Sequence, residues 1–508
     1  MLFLVVLVFS STLFADQLGS KPLLPGLSGI SAIFFGFLAL ILITTRLARL
    51  RAMDQFDRGT PGIYSLQAIY ARTQQTMRGL AAGGHFALFF CTSWPMLTRE
   101  ILGERLGGLD ELAMLVPFMV LFSSGYLMIY PIDRILREEM TGDLLYLFEP
   151  VQPIWTRGQY LSFQMRFNVF LVGLPLILII SAKDLLDVYR SQITYFGVFV
   201  LRKMDLDIRL AELTSEAALG VVAIIVLLFS PFLVRAVWYC RPLPVGQLRD
   251  ELQTLARQIG LRYRDILLWP TYGVIANAAV VGMVGPVRYI MLSDGLIESL
   301  TDGQIEAVFG HEIGHVKHHH LPLQLGFAFA SMGVMTLAGW HLQLHWQIES
   351  WIYEVSLFSS VFLVWFVLFG RLSRLCEGQA DLFAAESLSS RYDDLPAGCG
   401  QHECLRHSPA AEPLSSPANR PICLAAAELV CSALDRAAAL NAIPRTARSW
   451  RHGSISSRCQ AILRFTADGS ALSAFKLKTS WVRLVVLASA LFAVSWGMLT
   501  VLESGATR

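Results

Sequence analysis

Long apolar runs dominate this chain, and they restrict it to folds that a lipid bilayer can hold. Residues 28–45, 112–130, 167–181, 217–234, 324–340, 357–370 and 481–501 read as membrane-spanning helices. The segment His85–Leu97 is apolar but short and carries Pro95, so it either crosses or forms a re-entrant hairpin. Met1–Ala15 lacks a basic leader and reads as a cleaved signal peptide or an N-terminal anchor. Composition agrees. Apolar residues make up 54% and charged residues 16%, against about 45–50% and about 25% in soluble domains. The net charge of +2 says nothing about nucleic acid, but the lack of a strongly basic face interleaved with aromatics and of any nucleic-acid motif sets that class of partner aside. The eight cysteines are too scattered for a disulfide framework.

Arginine placement sets an orientation. The loop 46–82 carries six arginines against two acids, and 98–111 carries two basic residues against four acids. If His85–Leu97 crosses, then 46–82, 131–166, 236–321 and 371–480 lie in the cytoplasm, most simply beneath the cell inner membrane. If it does not, the segment 236–321 faces the other side.

One long polar segment, 241–320, carries secondary-structure signals of its own. GQLRDELQTLARQIG places Leu248, Leu252, Leu255 and Ile259 on one helical stripe. ILLW, VIANAAVVG and RYIML follow as short strands, with Gly285-Pro286 as a turn. Ser293 caps a short helix over 294–299, and Thr301 with Gln304 makes a capping box for a helix from about 302 to 320.

That helix carries AVFGHEIGHVKHHH. Residues four apart share a helix face, so His311 and His315 can aim two imidazoles at one ion. Glu312 projects to the side of that face, where it can take a proton from a metal-activated water without ligating the metal. Gly314 leaves room for another element to pack close. A catalytic site needs a third ligand and an open fourth position. The long form of the motif would need glycine at 318 and histidine at 321, and His318 and Leu321 stand there instead. The remaining option is a carboxylate from a second helix. GRLSRLCEGQADLFAAE offers Glu377 as ligand and Asp381, one turn on, to hold a ligand histidine or an arginine. Two spans separate the motif helix from Glu377, so the chain returns to the same side. Lys317, His318, His319 and His320 read as interfacial residues at a helix C-terminus.

These motifs, Asn277-Ala278, Leu300-Thr301, His311-Glu312-Ile313-Gly314-His315 and Ser373-Arg374-Leu375-Cys376-Glu377-Gly378-Gln379-Ala380-Asp381, resemble those of the membrane-embedded zinc metalloproteases of metallopeptidase family 48, which include the CaaX prenyl endopeptidase and HtpX. The likeness runs from about 243 to 465. A late His-Pro-x-x-x-x-Arg element of that family is matched by His452 and Arg458, with Gly453 in place of the proline. The resemblance implies a zinc endopeptidase with one Zn2+ per chain, held by His311, His315 and Glu377. It implies that His452 and Arg458 line the site, with His452 donating to an oxyanion and Arg458 pairing with Asp381 or Glu377. The strand at Asn277 and Ala278 would take an extended substrate by main-chain pairing. A peptide or membrane-protein substrate and the bilayer are the implied partners.

The expected architecture is a mainly α, polytopic membrane protein with a zincin-like domain and a small β-sheet inserted between spans. Residues 1–235 form a multi-span region and 236–480 the peptidase domain, interrupted by a membrane hairpin at about 322–370. Residues 391–425 are an expected flexible insert, and 481–501 the terminal span. Two other classes stay open: an inactive relative serving as a membrane scaffold, and a metal-binding or transport protein. The spans 217–234, 324–340 and 357–370 hold no charged residue and no histidine, which argues against transport.

Overall fold

The computed structural model describes residues 8, 22–57, 63–103, 109–146, 154–204, 214–273, 275–346, 360, 363–393, 422–441 and 443–506. The chain is a mainly helical, multi-pass membrane protein with a small mixed sheet. It divides into two compact units, Met1–Cys240 and Arg241–Arg508. Among the described residues, six helices are long and apolar enough to cross a membrane.

The first unit is built of α1 (Gly26–Asp57), α2 (Ile63–Cys91), α3 (Trp94–Leu102), α4 (Leu109–Tyr146), α5 (Arg157–Met165), α6 (Leu171–Val188), α7 (Arg190–Lys203) and α8 (Thr214–Val237). Helices α1, α2 and α4 pack together, as do α6 and α8. A side chain at Gly125 of α4 would run into Met77 of α2, so contact this close needs glycine there. The expected loop 46–82 is instead mostly helix, divided between α1 and α2. The run His85–Leu97 is likewise no separate span. Helix α2 ends at Cys91 and α3 starts at Trp94, with Pro95 in its first turn, where a missing N–H costs nothing. Helix α2 is not among the six apolar candidates. Of Met1–Ala15, only Val8 lies among the described residues.

In the second unit the sheet runs β1 (Arg241–Pro242), β2 (Asp265–Trp269), β4 (Tyr289–Ser293), β3 (Ala278–Val281). Strands β2 and β4 are parallel, and β3 pairs antiparallel with β4 at the edge. Strand β1 was not legible: two residues carry no alternation. The run expected over 274–282 narrows to 278–281, because the chain before it is tied into a turn. Tyr272 and Gly273 adopt positive φ (55° and 71°). The Asp294 carboxylate accepts from the backbone N–H groups of Thr271, Tyr272 and Gly273 at 3.0, 2.7 and 3.3 Å. Asp294→Ala would orphan those donors, and a loss of about 2–4 kcal/mol is expected, read by chemical denaturation.

Helix α9 (Gln247–Gln258) lays Leu252 and Leu255 on the core beside the sheet, with Leu248 and Ile259 at its margin. Ser293 caps α10 (Asp294–Ser299), accepting from Leu296 N–H at 3.2 Å. Thr301 and Gln304 form the capping box of α11 (Asp302–Lys317). This helix buries Ile305, Phe309 and Ile313 against the sheet side and Ala307 against a second core. It stops three residues short of the expected end: His318 caps it, and His319 takes a left-handed φ of 50°. The chain then re-enters helix as α12 (His320–Trp346).

The expected turn of the membrane hairpin, 341–356, is helix as far as Trp346, and the rest of it lies outside the described residues. Its returning arm passes through a π-turn, Trp365–Phe369, into α13 (Gly370–Asp393). Trp365 donates from Nε1 to Ser331 Oγ of α12 at 3.1 Å. The insert falls largely at 394–421, outside the described residues, and α14 (Leu424–Leu440), α15 (Ile455–Ala467) and α16 (Gly469–Ala506) complete the chain. Helix α16 packs along α12.

Candidate metal centre

Helices α11 and α13 approach closely because two glycines face two alanines. A Cβ at Gly314 would stand 2.9 Å from Ala380 Cα, and one at Gly310 would stand 3.4 Å from Ala384 Cα. The pairing runs in opposite chain directions, so the helices are antiparallel and Glu377 arrives over His311 and His315. His311 Nε2 lies 3.2 Å from His315 Nε2, and these atoms lie 3.6 and 3.8 Å from the Glu377 carboxylate oxygens.

This spacing suits one ion. With bonds of about 2.0–2.1 Å, neighbouring corners of a tetrahedron lie roughly 3.3–3.4 Å apart. Two imidazoles and a carboxylate are a donor set that leaves the fourth position open. Among the described residues one other group gathers donors, Asp110, Glu111 and Asp184 in the first unit, and it is carboxylate throughout.

Two of the three donors, His315 and Glu377, are shifted toward the forms that a cation needs, and His311 is shifted the other way. Burial holds His315 neutral, lowering its pKa to about 3. Burial pushes Glu377 upward, but the His452 hydrogen bond, His311 and Arg458 outweigh it and bring the group to about 2. For His311 burial lowers the pKa and the Asp381 contact more than restores it, so the net shift is upward. Asp381 Oδ1 stands 2.8 Å from His311 Nδ1. Burial raises Asp381 too, yet Arg458 holds it well below the usual carboxylate range.

Glu312 lies beside the donors. Its Oε2 accepts from Val280 N–H of β3 at 3.3 Å, and burial raises its pKa to about 7. A cavity of about 600 Å³ opens here, lined by Asn277, Ala278, His311, Glu312, His315 and His452 among others. Asn277 stands one residue before β3, with its backbone tied to Ser293, while Ala278 is buried within the strand. Since β3 is an edge strand and Val280 N–H points away from β4, the outward main chain belongs to Ala278 and Val280.

His452 and Arg458 come to the same place, each in contact with the Glu377 carboxylate. The Nδ1 of His452 is 2.9 Å from Glu377 Oε1, so that nitrogen serves the ligand carboxylate and only Nε2 is left for a substrate. Arg458 does not face the cavity with a free head. It binds Asp381 through Nε and Nη2 at 2.8 and 2.6 Å and reaches Glu377 at 3.4 Å. It is a positioning residue. At Gly453, φ is 73°, and its N–H and C=O both pair with Ser449. Proline can adopt neither that φ nor that donor role, so this turn differs from the one the family element would make. Arg374 supports it, donating to Trp450 O at 2.6 Å.

The histidine run also departs from expectation. His320 is not interfacial: it is 2% exposed, and its Nδ1 is 2.7 Å from His315 Nδ1. On a continuous helix a residue five places on would sit roughly 140° around the axis. Only the break at His318 and His319 folds it back, and no sequence signal marked that break.

A family model described as Peptidase family M48 matches residues 242–408, which include His311, Glu312, His315, Glu377 and Asp381 but end before His452. A protease HtpX homolog of Aeropyrum pernix is 30% identical over 103 residues, 20% of this chain and 32% of that protein. A protease HtpX homolog of Methanocaldococcus jannaschii is 26% identical over 99 residues, 20% of this chain and 34% of the relative. Protease HtpX homolog 1 of Sulfurisphaera tokodaii is 24% identical over 189 residues, 33% of this chain and 58% of that one. The chain thus spans between a third and three-fifths of these curated relatives. A crystal structure of S. mikatae Ste24p aligns at a TM-score of 0.45 and 15% identity, over 86% of this chain and 99% of the other. The likeness to peptidase family M48 read from the motifs therefore stands over the matched region.

Proposed function

We propose that this chain is an integral-membrane zinc metalloendopeptidase, with His311, His315 and Glu377 as ligands and Glu312 as general base. The observation that carries the reading is the convergence of one ligand atom each from His311, His315 and Glu377, all within 4.8 Å of one another, beside the Glu312 carboxyl. A zinc ion held there would polarise a peptide carbonyl and acidify a water. Glu312 takes the proton from that water and later delivers it to the leaving amine. Burial raises the Glu312 carboxyl and a dication beside it would lower it, which together favour a group that can take and return a proton. The outer edge of β3 would take an extended peptide through the main chain of Ala278 and the Val280 carbonyl, the Val280 N–H being held by Glu312. Because the Nδ1–H of His452 is spent on the Glu377 carboxylate, its Nε2 can donate to the oxyanion only in the imidazolium form. Asp381 and Arg458 keep His311 and Glu377 in register. The substrate is a peptide or a membrane-protein segment. Among the described residues, six helices apolar enough to cross a bilayer support a multi-pass membrane setting for this enzyme.

The test is zinc content together with cleavage of casein or a membrane peptide in detergent. Wild type should carry one zinc, lose cleavage with chelator and regain it with zinc. Glu377→Ala should lose most of its zinc. Full zinc occupancy in that variant would place the third ligand elsewhere. A zinc-loaded wild type that cuts no peptide would end the enzyme assignment.

A further inference from the structure

We propose that His320, Gln379 and Arg483 form a relay that orients the metal ligand His315, so that the last membrane helix controls zinc affinity. The inference rests on the zinc reading above.

The chain of contacts is continuous. His315 Nδ1 meets His320 Nδ1 at 2.7 Å, and His320 Nε2 meets Gln379 Oε1 at 3.2 Å. Arg483 Nη2 donates to the same Gln379 oxygen at 3.2 Å and to His318 O at 2.7 Å. His320 and Gln379 are 2% and 8% exposed, so water cannot stand in for these partners. Arginine only donates. Its contact therefore fixes the Gln379 amide with oxygen toward His320. That oxygen accepts, so His320 carries its proton on Nε2 and offers a lone pair at Nδ1. His315 must then hold its proton on Nδ1, which leaves its Nε2 lone pair facing His311 and Glu377. The tautomers are assigned from this logic.

The two ligand histidines are thus held differently. His311 leans on a carboxylate backed by Arg458, and His315 on a neutral imidazole backed by an amide. The left-handed turn at His319 is what delivers His320, and α16 is what delivers Arg483. An arginine head inside a candidate span is costly unless its donors are used; Nη2 makes both bonds named above, while the buried Nε makes none.

The measurement is zinc affinity of full-length protein in detergent, by competition with a chromogenic chelator. His320→Phe keeps a ring and removes the acceptor, and zinc binding should weaken about 10–100-fold. His320→Asn keeps an acceptor within reach and should recover most of that loss, while the melting temperature of the metal-free protein stays the same in both. Arg483→Met should weaken zinc less, and adding it to His320→Phe should cost nothing more. A folded His320→Phe with wild-type affinity overturns the relay, as do losses that multiply in the double variant. Should His320→Phe fail to fold, Arg483→Met alone decides: unchanged affinity overturns the proposal. Zinc in wild type and its loss in Glu377→Ala test the metal centre separately, so failure of the relay and failure of the centre give different results.

Discussion

Glu312→Gln is expected to keep its zinc and to slow peptide hydrolysis by about three to four orders of magnitude, the upper range for general-base catalysis. The amide still offers an oxygen to Val280 N–H, now 3.3 Å from the carboxylate, so the local fold should hold. It cannot take a proton from water. The same substitution has a second effect in the metal-free protein. The Glu312 carboxyl sits at about 7 in the fold against 4.5 for its ordinary value. Between those limits the folded chain holds a proton that the unfolded chain has released, so stability falls as pH rises through this window. Above pH 7 the full cost of the buried anion remains, about 2 kcal/mol after allowance for partial exposure. Metal-free Glu312→Gln should therefore melt higher than wild type at pH 8 and alike at pH 4. An unchanged difference between the two pH values would show that the carboxyl is not raised. Cleavage by the variant at the wild-type rate would remove Glu312 from the mechanism.

Gly314→Val should abolish zinc binding and destabilise the second unit by about 3 kcal/mol, the upper end for overpacking. Its Cβ would meet Ala380 Cα at 2.9 Å and Ala380 O at 3.1 Å. Both are backbone atoms inside a helix and cannot swing away, so α11 and α13 must part. Glu377 lies one turn before Ala380. A displacement of even about 1 Å at that turn spoils a set of donors that must lie roughly 3.3–3.4 Å apart. Gly310→Ala gives the contrast. Its nearest contact is the Ser387 hydroxyl at 3.2 Å, a side-chain atom that can rotate. That variant should retain zinc. Thermal melting and metal content read both. Zinc retention at wild-type affinity in Gly314→Val would mean that glycine is not what seats the two helices.

Much of the site could be read from short stretches because the signals are local. The Thr301 and Gln304 box, the Ser293 cap and the leucine stripe of α9 each depend on residues within about three helical turns of one another. The His311–His315 spacing is of the same kind. The failures follow the same logic in reverse. The stop of α11 at Lys317 and the fold-back of His320 depend on a left-handed residue at His319 and on Arg483 reaching His318 O from 165 positions away. The short β1 strand exists only because β2 is there to pair with it.

Taken by itself, the amino-acid order determined that this chain belongs in a bilayer. It also determined that one capped helix presents His311, Glu312 and His315 together, because hydropathy and helical period act within single elements. Only the tertiary structure set how closely Glu377 approaches His311 and His315, and only it turned His452 Nδ1 onto that carboxylate. It alone decided that His315 is oriented by His320. Those contacts join residues far apart in the chain, and their distances are set by how closely glycine and alanine let two helices approach.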